Sequence, residues 1–217
     1  MMFDKIKILL FSSLLVMSCT SQKLVKSQSI VNNGAEIQLV SDKFSFTEGP
    51  AADSFGNVYF TDQPNDKIYF WDWKTNKIAE FRTGSGRANG TFFDKNDNLI
   101  TCSDEKGQIL KINKSGIAEI LTTDFNGKRL NGPNDLWLDG NNGIYFTDPL
   151  YVRDYWQDFH QEIPEKNLYY RNSEGKITKL DTFTQPNGIV GSQKLKKLYV
   201  SDIDANKTYV YDIQGDG

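Results

Sequence analysis

Short runs of alternating apolar and polar residues, each closed by a cluster of Gly, Asn, Asp or Lys, fill the chain from residue 44 onward. Alternation of period two predicts half-buried strands, and the polar clusters predict tight turns between them. Four stretches share one frame: "TEGPAADSFGNVYFTD" (47–62), "ANGTFFDKNDNLITCSD" (88–104), "PNDLWLDGNNGIYFTD" (133–148) and "PNGIVGSQKLKKLYVSD" (186–202). Each reads as a short apolar strand, a turn, and a second alternating strand that closes on Thr-Asp or Ser-Asp. A third strand follows every copy: "KIYFWDW" (67–73), "QILKINK" (108–114), "NLYYRN" (167–172) and "KTYVYDI" (207–213). Three copies add a fourth: "KIAEFRT" (77–83), "GIAEILTT" (116–123) and "KITKLDTF" (176–183). No helical period of useful length interrupts them.

The closing aspartates Asp62, Asp104, Asp148 and Asp202 lie 42, 44 and 54 positions apart. A period of about 40 to 45 residues with four strands per unit predicts an all-β chain of β-propeller blades. The long third interval comes from an insertion, "PLYVRDYWQDFHQEIPEK" (149–166), between the second and third strands of its blade. Its tip is expected outside the blade. The four aspartates are expected to bind backbone or side chains at each strand end. Asp148, followed directly by Pro149, is the one that the insertion can carry to the mouth of the cavity.

The innermost strand of a blade starts at the rim of the central channel, so the residue at its head can point into that channel. Glu48, Asn89, Asn134 and Asn187 hold this place, 41, 45 and 53 positions apart. One carboxylate with amide oxygens is a hard donor set, suited to Ca²⁺, Mg²⁺ or Mn²⁺, with Zn²⁺ a poorer match. Asn89-Gly90 and Asn187-Gly188 also read as turn elements, because Asn tolerates left-handed backbone. A carboxylate at the head of a core-bound strand is costly unless it is paired or metal-bound, which sets Glu48 apart. His160 is the only histidine and sits in the polar insertion, so a Ser-His-Asp triad or a His-based zinc site lacks raw material. Cys102, in an apolar alternating stretch, reads as a small buried residue and not as a nucleophile.

Glu48-Gly49-Pro50 in the first frame, Asn134-Asp135 in the third, Pro186-Asn187-Gly188 in the fourth and "YFTDPLY" after the third blade's second strand carry a closer comparison. In this order and at blade spacing they resemble the SMP-30/gluconolactonase/LRE-like family, over roughly residues 44–213. The resemblance implies a six-bladed propeller with one divalent cation at the bottom of its central cavity, and often lactone hydrolysis. By resemblance, Glu48, Asn134 and Asn187 match the metal-ligand positions, with Asn134 in some members a contact to substrate or water instead. Asn89, Asn131 and Asp148 are the substrate-binding candidates. The chain departs from the family by stopping at "DIQGDG", after the third strand of the fourth blade. About four blades are therefore expected, in a C-terminally truncated member, with a closed four-bladed ring as the alternative. The family's base is generally an aspartate of a later blade, which is expected to lie beyond Gly217. Asp135 is the replacement that this segment offers. Tyr151, Arg153, Tyr155 and Trp156 of the insertion either cap the pocket and set substrate size or form a plain surface loop.

Composition adds two limits. Aromatic residues make up 13% of the 217 positions, which suits a β-rich core. The net charge of −3, with Lys and Arg scattered, gives no basic field for nucleic acid. At the N-terminus, Lys5 and Lys7 precede an apolar run from Ile8 to Met17 and then Ser18-Cys19. This layout predicts a secretory signal over residues 1–18, since the run is about half of the ~20 residues that span a bilayer. Its Val-Met-Ser-Cys end resembles a bacterial lipobox with Cys19 as the lipidated residue, the alternative being an ordinary signal with an incidental Cys. Residues 19–43 then read as a tether, residues 44–217 as the propeller, and the protein as one held to the bacterial cell envelope by lipid. Three functions stay open: a metal-dependent lactonase acting on a small lactone or ester, a phosphotriesterase-like hydrolase on the same metal, and a propeller that only binds.

Overall fold

The structure, a computed structural model, describes residues 31–156 and 160–215. The signal at 1–18 and the Cys19 lipidation position lie outside the described residues. So does Gly217. The chain divides into two units between Val40 and Ser41, and the strands all belong to the second.

Four antiparallel sheets follow one another in chain order. The first has strands β1 (Thr47–Ala52), β2 (Val58–Asp62), β3 (Lys67–Asp72) and β4 (Lys77–Thr83). The second has β5 (Ala88–Phe93), β6 (Leu99–Ser103), β7 (Gln108–Ile112) and β8 (Ala118–Thr122). A two-stranded ribbon, β9 (Asp124–Phe125) with β10 (Lys128–Arg129), leads to the third sheet. That sheet has β11 (Leu136–Leu138), β12 (Ile144–Asp148), β13 (Lys166–Arg171) and β14 (Ile177–Phe183). The fourth has β15 (Pro186–Ser192), β16 (Lys197–Asp202) and β17 (Lys207–Asp212), three strands among the described residues. Strand order within each sheet is sequential, and the inner strands β1, β5, β11 and β15 adjoin one another in turn. Among the described residues these are four blades in a propeller arrangement, as the repeat predicts.

Side-chain chemistry at the hairpins explains why the strands turn where they do. Asp53 accepts the amides of Phe55 and Asn57 at 2.9 Å, and Asn57 returns its side-chain amide to the same carboxylate. Asp94 repeats the device with Asn96 and Asn98, and Asp139 with Asn141 and Gly143. A carboxylate that satisfies amides two and four residues on closes a tight turn without help from neighbours.

The core lies between blades and is not held within any one of them. Ile68 of blade 1 packs with Ala88, Leu99, Leu110 and Ile112 of blade 2. Ile100, Cys102 and Ile109 of blade 2 meet Leu136, Ile144, Phe146 and Tyr169 of blade 3. Trp137, Tyr145, Leu168 and Tyr170 of blade 3 meet Ile189, Leu198 and Val200 of blade 4. Strict alternation along β6, β12 and β13 sends odd and even residues to opposite interfaces, so the middle blades are buried on both faces. Gly191 opens the last interface: a Cβ there would fall 2.4 Å from the Trp137 ring. Cys102 is fully buried, and burial pushes its thiol well above the usual range, so it is a core residue as its context predicts.

Candidate active site on the propeller axis

The heads of the four inner strands form the wall of one cavity of about 320 Å³. Its lining includes Glu48, Asn89, Asn134 and Asn187, together with Asp135 and the glycines Gly49, Gly90 and Gly188. Pairing slips between Glu48 and Ala51, between Ala88 and Thr91, and between Pro186 and Ile189. Each slip is a bulge at the same place in its blade, and a bulge re-aims the side chain beside it. This irregularity turns Glu48, Asn89 and Asn187 to the cavity, and in blade 3 Asn134 reaches the same wall from just ahead of β11, its amide donating to the Thr147 carbonyl at 2.9 Å.

The glycines let the inner strands converge. Gly49 has a φ of +51° and sits so close to blade 2 that a Cβ would lie 2.3 Å from the Asn89 carbonyl oxygen. A Cβ on Gly90 would lie 2.3 Å from Asp135 Oδ1 and 2.6 Å from Asp135 Cα. Hydroxyls on the second strands tie neighbouring blades: Thr61 donates to the Asn89 carbonyl at 3.1 Å, and Thr147 to the Asn187 carbonyl at 2.7 Å. The repeated Thr of the "FTD" motif thus fixes the backbone of the next blade's head residue.

Among the described residues, neither the Glu48 carboxylate nor the side chains of Asn89 and Asn134 have a hydrogen-bond or ion-pair partner. Asn89 is 3% exposed and Asn134 6%. Their amide atoms stay open to the cavity, and with the half-buried Glu48 carboxylate they give it a polar wall whose groups are not committed to protein partners. Asn187 differs: its Nδ2 donates to the Tyr151 hydroxyl at 3.0 Å. The acceptors all being oxygens, the donor set fits a hard divalent cation, as the head pattern predicts. Among the described residues no cluster of three His, Cys, Asp or Glu forms an alternative centre.

Asp135 stands where blades 1, 2 and 4 carry glycine. Its Oδ1 accepts the Leu136 amide at 2.9 Å and its Oδ2 the Ile189 amide of blade 4 at 3.0 Å. Burial pushes its carboxyl up to about 6; the two amides pull it down, and the Glu48 charge adds to the rise. The residue is both a tie between blades and a wall carboxylate that can hold a proton near neutrality.

Two substrate-binding candidates are not brought to this wall. Asp148 is fully buried, and its oxygens accept the backbone amides of Asn131 at 3.0 Å and Gly132 at 2.8 Å. Burial raises its carboxyl to about 7 despite these two bonds. Asn131 is 1% exposed, and its Nδ2 donates to the Glu165 carbonyl at 2.9 Å. Both residues anchor the base of the insertion. Asp62 and Asp202 do the same structural work, accepting the amides of Ser45 and Phe46 and of Thr184 and Gln185.

Asp104 binds side chains, as expected of a closing aspartate, but from a place one residue further on than its counterparts. Ala88 pairs with Ser103, as Thr47 pairs with Asp62 and Pro186 with Asp202. Ser103 therefore occupies the structural place in blade 2, and Asp104 lies one residue beyond the strand. Its Oδ2 accepts from Gln63 Nε2 of blade 1 at 2.7 Å and from the Tyr155 hydroxyl of the insertion at 3.3 Å, with Arg153 Nε at 3.8 Å. Burial lifts this carboxyl to about 7, and Arg153, Tyr155 and Trp156 hold it back. Residues 150–156 of the insertion are tied down at several points. Gln185 Nε2 donates to the Leu150 carbonyl at 3.1 Å, and the Arg87 guanidinium lies 4.3 Å from the Tyr155 ring centre. Arg153 lies 5.2 Å from the Tyr151 ring centre, and Arg129 5.8 Å from that of Trp156. His160 is exposed and takes no part.

Fold and wall together define a β-propeller with an oxygen-lined axial cavity. The chain belongs to the SMP-30/Gluconolactonase/LRE-like family, whose model matches residues 46–217. A gluconolactonase of Zymomonas mobilis is 25% identical over 210 residues, which are 87% of this chain and 58% of that protein. A diisopropyl-fluorophosphatase of Loligo vulgaris is also 25% identical, over 197 residues, 81% of this chain and 62% of that protein. The chain thus spans about three fifths of the length of these curated relatives. A solved gluconolactonase of Xanthomonas campestris shares the fold with a TM-score of 0.76 at 23% identity, covering 82% of this chain and 62% of that one.

Proposed function

We propose that the chain carries the cation-binding wall of a divalent-metal-dependent hydrolase that opens a sugar lactone or a related small ester. The observation that carries this reading is the convergence of Glu48, Asn134 and Asn187, with Asn89 beside them, on one cavity. Glu48, Asn134 and Asn187 would hold the ion, with Ca²⁺ the best match to one carboxylate and neutral oxygens. When bound, it would polarise the substrate carbonyl and acidify water. Asn89 faces the same cavity and can donate to a substrate oxygen. Asp135 is the wall carboxylate that can take up a proton near neutral pH. Tyr151, bonded to Asn187, is the residue through which the insertion would bear on substrate size.

Titration with Ca²⁺ and Mg²⁺, followed by hydrolysis of gluconolactone and of simple esters, tests this. Glu48→Gln is expected to weaken cation binding by tenfold or more, because it removes the one formal charge among the three donors. Asn134→Ala or Asn187→Ala is expected to weaken it less. An affinity unchanged by Glu48→Gln would remove the site. The Loligo relative favours a second reading, hydrolysis of a phosphofluoridate or phosphotriester on the same wall. Assaying diisopropyl fluorophosphate in parallel separates the two, and cation binding without turnover of any substrate would favour a binding propeller.

Lipid anchorage at Cys19 in the bacterial envelope is a further part of the proposal. It rests on the charged start, short apolar run and Val-Met-Ser-Cys end of residues 1–19. Labelling with a palmitate analogue should mark the wild type and not Cys19→Ala, and equal labelling would exclude it.

A further inference from the structure

We infer that Tyr151, in the insertion, is a positioning residue that holds the Asn187 amide with its nitrogen on the hydroxyl and its oxygen left for the cavity. The inference rests on the proposed cation site and deepens it. An asparagine side chain has two chemically opposite ends of nearly equal shape, and only its oxygen can serve a cation. Among the head residues, Asn187 is the one whose amide is held by a protein group: Nδ2 donates to the Tyr151 hydroxyl at 3.0 Å. The hydroxyl, able to donate or accept, accepts here, and Oδ1 is the end left without a protein donor among the described residues. The backbone of Asn187 is fixed independently, by Thr147 Oγ1 on its carbonyl at 2.7 Å, so the remaining freedom is the rotation of the amide itself.

Tyr151 is in turn held from two sides. The neighbouring Leu150 carbonyl accepts from Gln185 Nε2 at 3.1 Å, and the Arg153 guanidinium lies 5.2 Å from the Tyr151 ring centre. Arg153 reaches Asp104 of blade 2, at 3.8 Å. The orientation of a donor from blade 4 is thereby set by a loop of blade 3 that is braced on blade 2. Outer-shell partners of this kind orient the groups that bind a metal and raise its affinity. The insertion and the affinity of the wall are coupled through Asn187.

The test is Tb³⁺ binding, displaced by Ca²⁺ and read as luminescence excited through Trp137, which lines the same cavity. Tyr151→Phe removes the hydroxyl and keeps the ring. It is expected to weaken Tb³⁺ and Ca²⁺ binding about tenfold. In an Asn187→Asp background the two side-chain oxygens are equivalent and need no orienting, so Tyr151→Phe is expected to leave affinity unchanged or raise it. If Tyr151→Phe weakens binding equally in both backgrounds, the hydroxyl merely supports the insertion and the inference fails. If Glu48→Gln weakens binding while Tyr151→Phe alone has no effect, the inference fails and the cation site stands. If Glu48→Gln has no effect either, the site itself is wrong and the inference falls with it.

Discussion

At the scale of single residues, Asp104 shows how far one position can move a function. It shares its type with Asp62, Asp148 and Asp202, yet strand register gives the structural place to Ser103, and the carboxylate is turned to the insertion. The motif "Ser-Asp" cannot reveal this, because the one-residue offset is set by the pairing of β5 with β6. The head residues Glu48, Asn89, Asn134 and Asn187 were legible because their place in the repeat is their place in space. Asp104 also makes stability depend on pH. Its folded carboxyl titrates at about 7, above the ~3.9 of an unfolded aspartate, so the folded state binds the extra proton between these values. Stability from this group is therefore present at pH 4 and lost as pH rises to about 7. Thermal melting of Asp104→Asn should fall less between pH 5 and pH 8 than that of the wild type, by on the order of 1–3 kcal/mol in stability. An identical pH profile for both would refute the burial of this charge.

At the scale of elements, every strand read from alternation is present, because period-two patterning and Asx turns are both local. What the pattern could not show was the closeness of the inner strands, since a glycine gives no hydropathy signal. Gly90 meets Asp135 and the Asn134 carbonyl, both parts of the next blade's backbone or its buried tie. Gly90→Ala should therefore destabilise the chain by about 1–3 kcal/mol through overpacking. Gly140 is the control, since a Cβ there would come no nearer than 3.8 Å to the Gln193 side chain. Gly140→Ala should change stability by less than about 0.5 kcal/mol. Urea unfolding of the two variants distinguishes a packing effect from a general cost of replacing glycine.

At the scale of the whole molecule, each interior interface is shared by two blades, so the two end blades each keep a face that no neighbour covers among the described residues. Blade 1 partly shields its own: Phe44 packs edge-on to Phe60 at 5.0 Å and tilted on Tyr69 at 4.9 Å. Blade 4 does not. Val190, Tyr199 and Val210 pair across β15, β16 and β17 as one row. They are 57%, 36% and 57% exposed. An apolar row on an open sheet face, beside an edge of β17 that pairs with no strand among the described residues, is a surface prone to association. The 217-residue chain should therefore associate as its concentration rises, with a sedimentation coefficient that increases accordingly. Tyr199→Lys combined with Val210→Lys places charge on the solvent side of the row and touches none of the interface between blades 3 and 4. The double variant should sediment as a monomer at concentrations where the wild type associates, with an unchanged melting temperature. Loss of association together with lost stability would instead mean that the row supports the blade itself. Unaltered association would place the contact elsewhere, with blade 1 and its partly exposed Phe46 the next face to test.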